Sequence, residues 1–234
     1  MPKSRSEAVV SPPSAPAPAT WRDPWAWAVA AAAPLLAVRA LGAPLGEPFA
    51  DDFHFLHHAM FGGSAHWLDG GGAVIYWRPL ARQIYYDLLG PLMLAHPRWL
   101  ATLHGVLLAL AAVLVYRALC PRWPAWAAAA AASFPLIAEA SRTLLLWPSA
   151  FQDLGALLFS ALALHEASRR RLPSALAALG AGLLCKEIAV VTALLLPFMP
   201  DLGACAIDGA GCSRRRCWFS PGARSTSSSC ATRG

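Results

Sequence analysis

A chain of 234 residues in which 57% are hydrophobic and 14% charged cannot cover itself with a water-facing surface. An ordinary globular domain is roughly 45–50% apolar and about 25% charged, so the composition and a mean hydropathy of +0.46 exclude a soluble-domain reading and make lipid the natural solvent. The net charge of +6 falls in short basic groups between apolar runs, which suits membrane orientation and argues against nucleic-acid binding, where a basic stripe on a polar surface is needed.

Residues 1–23 are rich in Pro, Ser and Ala, carry Lys3 and Arg5, and read as a disordered cytoplasmic leader. No apolar core follows closely on the basic residues, so the segment does not read as a cleaved signal peptide. Trp25–Ala43 is the first run able to span a bilayer; Trp21, Trp25 and Trp27 stand as interfacial anchors, and Arg39 can snorkel near its far end. Gly46–Arg98 mixes acids, histidines, aromatics and the Gly70–Gly72 cluster, and predicts a large loop with amphipathic helices around Phe53–Phe61 and Leu80–Leu89. In the second, Leu80, Ile84 and Leu88 form the apolar stripe and Pro91 ends the helix.

Further spanning runs follow at Leu100–Leu119, Ala125–Ala138 and Ala150–His165, with a polar-aromatic connector at Glu139–Ser149. The last apolar stretch, Leu172–Pro200, is interrupted by Lys186 and Glu187; charges at mid-bilayer are costly, so two helices meeting there are predicted rather than one. The fold class is therefore an all-α, polytopic bundle of about six transmembrane helices, occupying residues 24–200. Basic residues flanking the short loops (Lys3, Arg5, Arg22; Arg117, Arg122; Arg169–Arg171) put the N-terminus in the cytoplasm, and Gly46–Arg98, Glu139–Ser149 and the Lys186–Glu187 turn on the opposite face. The alanine-heavy composition leans toward a bacterial inner membrane. In the irregular tail, residues 201–234, the apolar periodicity stops and Cys, Ser, Arg and Gly dominate. Two accounts fit the tail, a cytoplasmic extension or a lost reading frame near Pro200, and no function is assigned to it. Cys205, Cys212, Cys217 and Cys230 lie in this tail without a CxxC pair, and the last histidine is His165, which argues against a zinc module.

Three polar groups fall on the non-cytoplasmic face. Paired carboxylates at Asp51–Asp52 can bind a divalent metal or supply a general base toward an acceptor hydroxyl; the plainer account is capping of the helix that begins there. With His54 they form a candidate metal site, His54 and His58 sharing one helix face, although an interfacial histidine-rich helix explains the same residues. Arg78, in Tyr76-Trp-Arg-Pro-Leu80, can fork onto a phosphate or simply stack on Trp77. Glu139, Lys186 and Glu187 stand at helix boundaries, either as a structural ion pair or with Lys186 neutralising a substrate phosphate.

The order of these features resembles the polytopic GT-C glycosyltransferases, and among them the protein O-mannosyltransferase-like enzymes. The resemblance rests on the first helix, Asp51–Asp52 in a large first loop, Arg78-Pro-Leu80, Phe134-Pro-Leu-Ile-Ala-Glu-Ala140, Ser149–Leu154 and Leu183-Leu-Cys-Lys-Glu-Ile-Ala-Val190, with Phe134 standing where the family has a histidine. It covers about residues 24–200, the N-terminal part of such a membrane domain. It implies transfer of a sugar from a polyprenyl-phosphate carrier to a protein or glycan acceptor on the non-cytoplasmic side. Under it, Asp51 or Asp52 activates the acceptor or helps hold a metal, Arg78 and Lys186 meet the lipid phosphate, and Glu139 supports the site. The absence of a nucleotide-binding glycine loop agrees with a lipid-linked donor. Two rivals remain: a transporter or channel subunit with Arg39, His104, Lys186 and Glu187 along a path, and a non-catalytic membrane scaffold.

Overall fold

The computed structural model describes residues 23–39, 42–61, 76–138 and 140–198, and all the regular structure among them is helical. The leader up to Arg22, the Gly70–Gly72 cluster, Glu139, the Arg39 side chain and the tail lie outside the described residues. Among the described residues nine α-helices run in chain order: α1 (Pro24–Arg39), α2 (Asp51–Phe61), α3 (Tyr85–Ala95), α4 (Pro97–Leu119), α5 (Ala125–Ile137), α6 (Ala140–Leu146), α7 (Phe151–Ser168), α8 (Leu172–Cys185) and α9 (Val190–Leu195).

α1 starts where Asp23 caps it, accepting a bond from the Trp25 N–H at 3.0 Å on one oxygen. The other oxygen accepts the Tyr116 hydroxyl at 2.6 Å, so the cap also pins α1 to the end of α4. The core between α1, α4, α5 and α7 is built from Val29, Leu108, Ala112, Ala128, Ala132, Leu136 and Leu154, all buried. Its alanines allow close helix approach. α7 packs more extensively on α8 than any other pair of elements packs, through buried Ala163, Ala167, Ala175 and Ala178. There a Cβ on Gly155 would stand 2.8 Å from Cys185 Sγ, and one on Gly182 3.2 Å from the Ala189 Cβ. Small residues that let helices touch are the usual solution where lipid, not water, surrounds them.

α4 is the one described helix long and apolar enough to cross a membrane. Its 23 residues reach about 34 Å at ~1.5 Å per residue, against a hydrocarbon core of ~30 Å. Only 39% of its most apolar stretch is buried inside the protein, where the core helix of a soluble domain is mostly buried, and Val106 and Leu110 face outward. The other apolar helices, Ala125–Ile137, Leu172–Cys185 and Glu187–Phe198, are shorter. Leu172–Phe198 is broken in the middle: α8 ends at Cys185, Lys186 is fully extended at φ −160° and ψ 145°, and a 3-10 turn over Glu187–Ala189 leads into α9.

The segment before α4 differs from expectation in two respects. Pro91 lies inside α3, which continues to Ala95. The residue before a proline is normally driven out of helical conformation by its Cβ, and Gly90 has none. The second difference is the buried face. Leu80–Ile84 forms a π-helical turn, which adds a residue to the turn and rotates α3 relative to a continuous α-helix. Ala81, Tyr85, Tyr86 and Met93 therefore face inward and Leu88 is 72% exposed, so the Leu80/Ile84/Leu88 stripe is not the packing face. The connector beginning at Glu139 also contains a helix, α6, followed by a 3-10 turn over Pro148–Ala150.

Gly46 joins the α1 end to the loop that carries α2. Its N–H donates to the Leu146 carbonyl at 3.1 Å, its φ is +71°, and a Cβ there would run into the Pro97 carbonyl with the Ala101 nitrogen 3.1 Å away. Backbone atoms at a helix start cannot step aside. Gly46→Ala is therefore expected to cost roughly 2–4 kcal/mol, from the left-handed backbone and the overlap together. Thermal unfolding of the detergent-purified protein measures it; a melting temperature equal to wild type would mean the loop entry is not fixed as described.

Candidate functional site

Asp51 and Asp52 are adjacent on α2 but face different environments. Phe49 donates its N–H to Asp52 Oδ2 at 2.8 Å, while the Phe49 carbonyl accepts the Asp52 N–H at 3.0 Å, a reciprocal arrangement that closes the start of the helix. The second Asp52 oxygen accepts the Tyr86 hydroxyl, and the carboxylate is wholly buried. Burial raises the Asp52 carboxyl above the ordinary carboxylate range; hydrogen bonds from Tyr86, Phe49 and Ser149 oppose that rise without cancelling it. Burial, with the Asp52 charge beside it, also raises the Tyr86 phenol. Asp51, one residue earlier, is exposed and lines a cleft of about 720 Å³. Both aspartates lie in the first turn of α2, where consecutive side chains point about 100° apart, and Ala50, immediately before, takes the left-handed φ of +49°.

The cleft is bounded by α2, the segment before α3, α6, α7 and the α8–α9 break. Arg78, Arg82, Gln152, Asp153 and Lys186 form its polar side; Leu144, Trp147, Ala156, Leu157 and Ile188 form an apolar side. Two ion pairs cross it. Arg78 Nε donates to Glu187 Oε1 at 3.0 Å and Nη2 to Oε2 at 2.6 Å, a parallel fork, while Nη1 donates to Gln152. The hydrogen bonds from Arg78 lower the Glu187 carboxyl below its ordinary range. Lys186 Nζ donates to both Asp153 oxygens, at 2.6 and 2.8 Å. Arg82 lies deeper among aromatics, its Cζ 4.8 Å from the Phe55 ring centre and 5.9 Å from that of Tyr76. Burial first, and then the Arg78 charge, make its protonated form less favourable, while Asp51 and Glu187 favour it.

Of the residues singled out from the sequence, Asp51, Arg78 and Lys186 meet in the cleft, Glu187 is tied to Arg78, and Asp52 stands behind α2 as a capping and packing group. Arg78 stacks on Tyr76, with Cζ 4.7 Å from the ring centre, and Lys186 is paired with Asp153. His54 lies on the exposed face of α2 with its ring 4.8 Å from that of His58, as their spacing requires. Among the described residues no three His, Cys, Asp or Glu side chains gather in a group that could hold a metal ion. The donor set among the described residues therefore does not fit a cation held by protein alone.

His104 is buried in α4 and fully engaged: its Nδ1 is 2.7 Å from the Leu144 carbonyl, which only accepts, so Nδ1–H donates there and Nε2 accepts from the Tyr85 hydroxyl at 2.9 Å. Tyr85 in turn stacks on Phe151 with ring centres 4.2 Å apart, which fastens α3 to the start of α7. Sequence reasoning passed over Asp153, Gln152, Arg82 and Tyr86. For Asp153 a signal existed, since it is the only acid in the apolar run 150–165 and Lys186 needed a counter-ion. No protein family, no curated protein and no solved structure matches this chain.

The buried Asp52 gives the site a pH signature. Because its folded carboxyl titrates above the unfolded one, its contribution to stability is present in acid and is lost as pH rises through the folded value. Tyr86→Phe removes a donor to the ionised form and raises that carboxyl further. The variant should be less stable than wild type by roughly 1–3 kcal/mol where Asp52 is ionised and by less in acid, where it is protonated. Thermal unfolding over a pH series running down through the carboxylate range measures the difference; a deficit that stays constant throughout would mean the hydroxyl supports something other than ionised Asp52.

Proposed function

We propose that the protein is a multi-pass integral membrane glycosyltransferase of GT-C type, which moves a sugar from a polyprenyl-phosphate donor to an acceptor hydroxyl on the non-cytoplasmic face. The observation that carries this reading is the cleft, where one exposed carboxylate, Asp51, shares about 720 Å³ with Arg78, Arg82 and Lys186 against a wall of Leu144, Trp147, Leu157 and Ile188. A ligand suited to that lining is anionic at one end and apolar along its length, as a phosphorylated polyprenol is. For the membrane part, α4 is long and apolar enough to span. Trp126, Phe134, Leu176, Val191, Leu194 and Phe198, on α5, α8 and the α9 end, are at least half exposed, an outward apolar surface that lipid would cover. The basic Arg169–Arg171 turn and the leader's Lys3 and Arg5 support a cytoplasmic N-terminus.

The chemistry rests on the positions. Asp51 accepts the proton of an acceptor hydroxyl as that oxygen attacks the anomeric carbon. The bond from that carbon to the phosphate oxygen breaks, and the electron pair leaves with the polyprenyl phosphate. Charge building on the departing phosphate is offset by Arg78 and Lys186, already oriented by Glu187 and Asp153. Asp52 holds the α2 start in place and makes no contact with the reacting atoms. Glu139 remains a candidate supporting residue of the same face.

Reconstitution in phospholipid vesicles with a panel of polyprenyl-phosphate sugars tests this. A positioned general base contributes typically 10²–10⁴-fold, so Asp51→Asn should lower turnover by at least about 100-fold while donor binding is retained. A wild-type protein that consumes none of the donors would leave the scaffold or transporter readings in possession of the site; an Asp51→Asn variant that keeps the wild-type rate would overturn Asp51 as the base.

A further inference from the structure

Building on the glycosyltransferase reading, we propose that Arg82, rather than either ion-paired cation, makes the first contact with the phosphate of the lipid-linked donor. Arg78 and Lys186 are both occupied. The Arg78 fork is spent on Glu187 through Nε and Nη2, and its remaining Nη1 on Gln152. Lys186 is held by both oxygens of Asp153. Three of the five Arg78 N–H groups and two of the three on Lys186 are already used, and a carboxylate already neutralises each charge, so an arriving phosphate gains less from either. These two cations are better placed to answer charge that appears later, when the leaving phosphate gains its second negative charge.

Arg82 is arranged differently. It lines the same cleft, and its Nε is buried without a hydrogen-bond partner. A buried donor left unmade is costly, and a ligand oxygen is what would make it. The guanidinium is fixed by its faces instead of its edges, with the Phe55 ring at 4.8 Å and the Tyr76 ring at 5.9 Å. Stacking sets the plane of the fork while leaving N–H edges for a bidentate oxygen pair, the geometry a phosphodiester presents. The like charge of Arg78, whose Cζ lies 4.7 Å from the same Tyr76 ring, is a second reason for an anion to settle there. The other charges that face Arg82 are Asp51 and Glu187. Glu187 is committed to Arg78, and Asp51 is the group reserved for the acceptor proton. A phosphate on Arg82 would therefore share the cleft with the base, as transfer requires.

Binding of a polyprenyl-phosphate monosaccharide, the phosphodiester donor itself, to the purified full chain in phosphatidylcholine nanodiscs tests the proposal, with phosphatidylglycerol discs as the arm for ordinary lipid phosphate. Arg82→Gln should weaken donor binding by about 10–100-fold. Arg82→Lys, which keeps the charge and loses the fork, should weaken it less than Arg82→Gln does. Gel filtration and thermal unfolding identify any variant that has lost its fold, and Arg82→Lys then carries the comparison. Wild-type binding with both variants unchanged would overturn the role of Arg82 and leave the glycosyltransferase reading standing. Wild-type binding no tighter than to phosphatidylglycerol would overturn the two together.

Discussion

The Lys186 ammonium lies 2.6 and 2.8 Å from the two Asp153 oxygens, and that ion pair holds the break between α8 and α9 against α7. A lysine in an apolar stretch has few acceptable positions: it must reach water or find an anion. Here it does so by interrupting its own helix, with an extended Lys186 and a 3-10 turn after it. The interruption turns Glu187 toward Arg78 and so ties the far side of the chain to the segment before α3. The same turn is packed from below by Gly182, whose missing side chain lets Ala189 approach. Charge pairing and close small-residue packing thus act on one point, and the polar side of the cleft is assembled around it.

The two neighbouring aspartates show how a single residue step separates structure from chemistry. Asp52 closes the start of α2, accepts Tyr86 and is sealed from solvent, out of reach of an acceptor but a firm tether between α2 and α3. Asp51 has none of these bonds among those described and opens onto the cleft. Capping therefore belongs to Asp52, and under the proposed function the base role falls to Asp51. Adjacent positions on one helix point about 100° apart, which is enough to send one carboxylate inward and the other to the cleft.

The long apolar runs were legible because hydrophobicity over 13 to 23 residues overrides local preference, as in α4 and α5. The break at Lys186 was legible for the same reason inverted, two adjacent charges in an apolar stretch. What escaped was register. A π-helical turn at Leu80–Ile84 has no side-chain signature, yet it moves the buried face from Leu80, Ile84 and Leu88 to Ala81, Tyr85 and Tyr86. Pro91 misled because its effect depends on the residue before it, here Gly90. In the site, Asp51, Arg78 and Lys186 could be picked out as isolated polar residues, but their partners could not. Asp153 and Gln152 occupy the first turn of an otherwise apolar helix, and only the fold reveals that this turn faces both Arg78 and Lys186.

The shortness of α5 and α8 has a consequence for the surrounding lipid. Helices of 13 and 14 residues extend only about 20 Å at ~1.5 Å per residue, some 10 Å less than a typical hydrocarbon core. Under the membrane reading, a bilayer meeting such helices must thin or draw its headgroups inward to match them. α8 ends at Cys185, directly before the cleft. The hydrophobic mismatch would then fall beside Lys186, lowering the headgroup plane toward the polar side of the site. Under the proposed function, a long-chain lipid phosphate would enter from the side, along the membrane, with less of its charge carried through hydrocarbon.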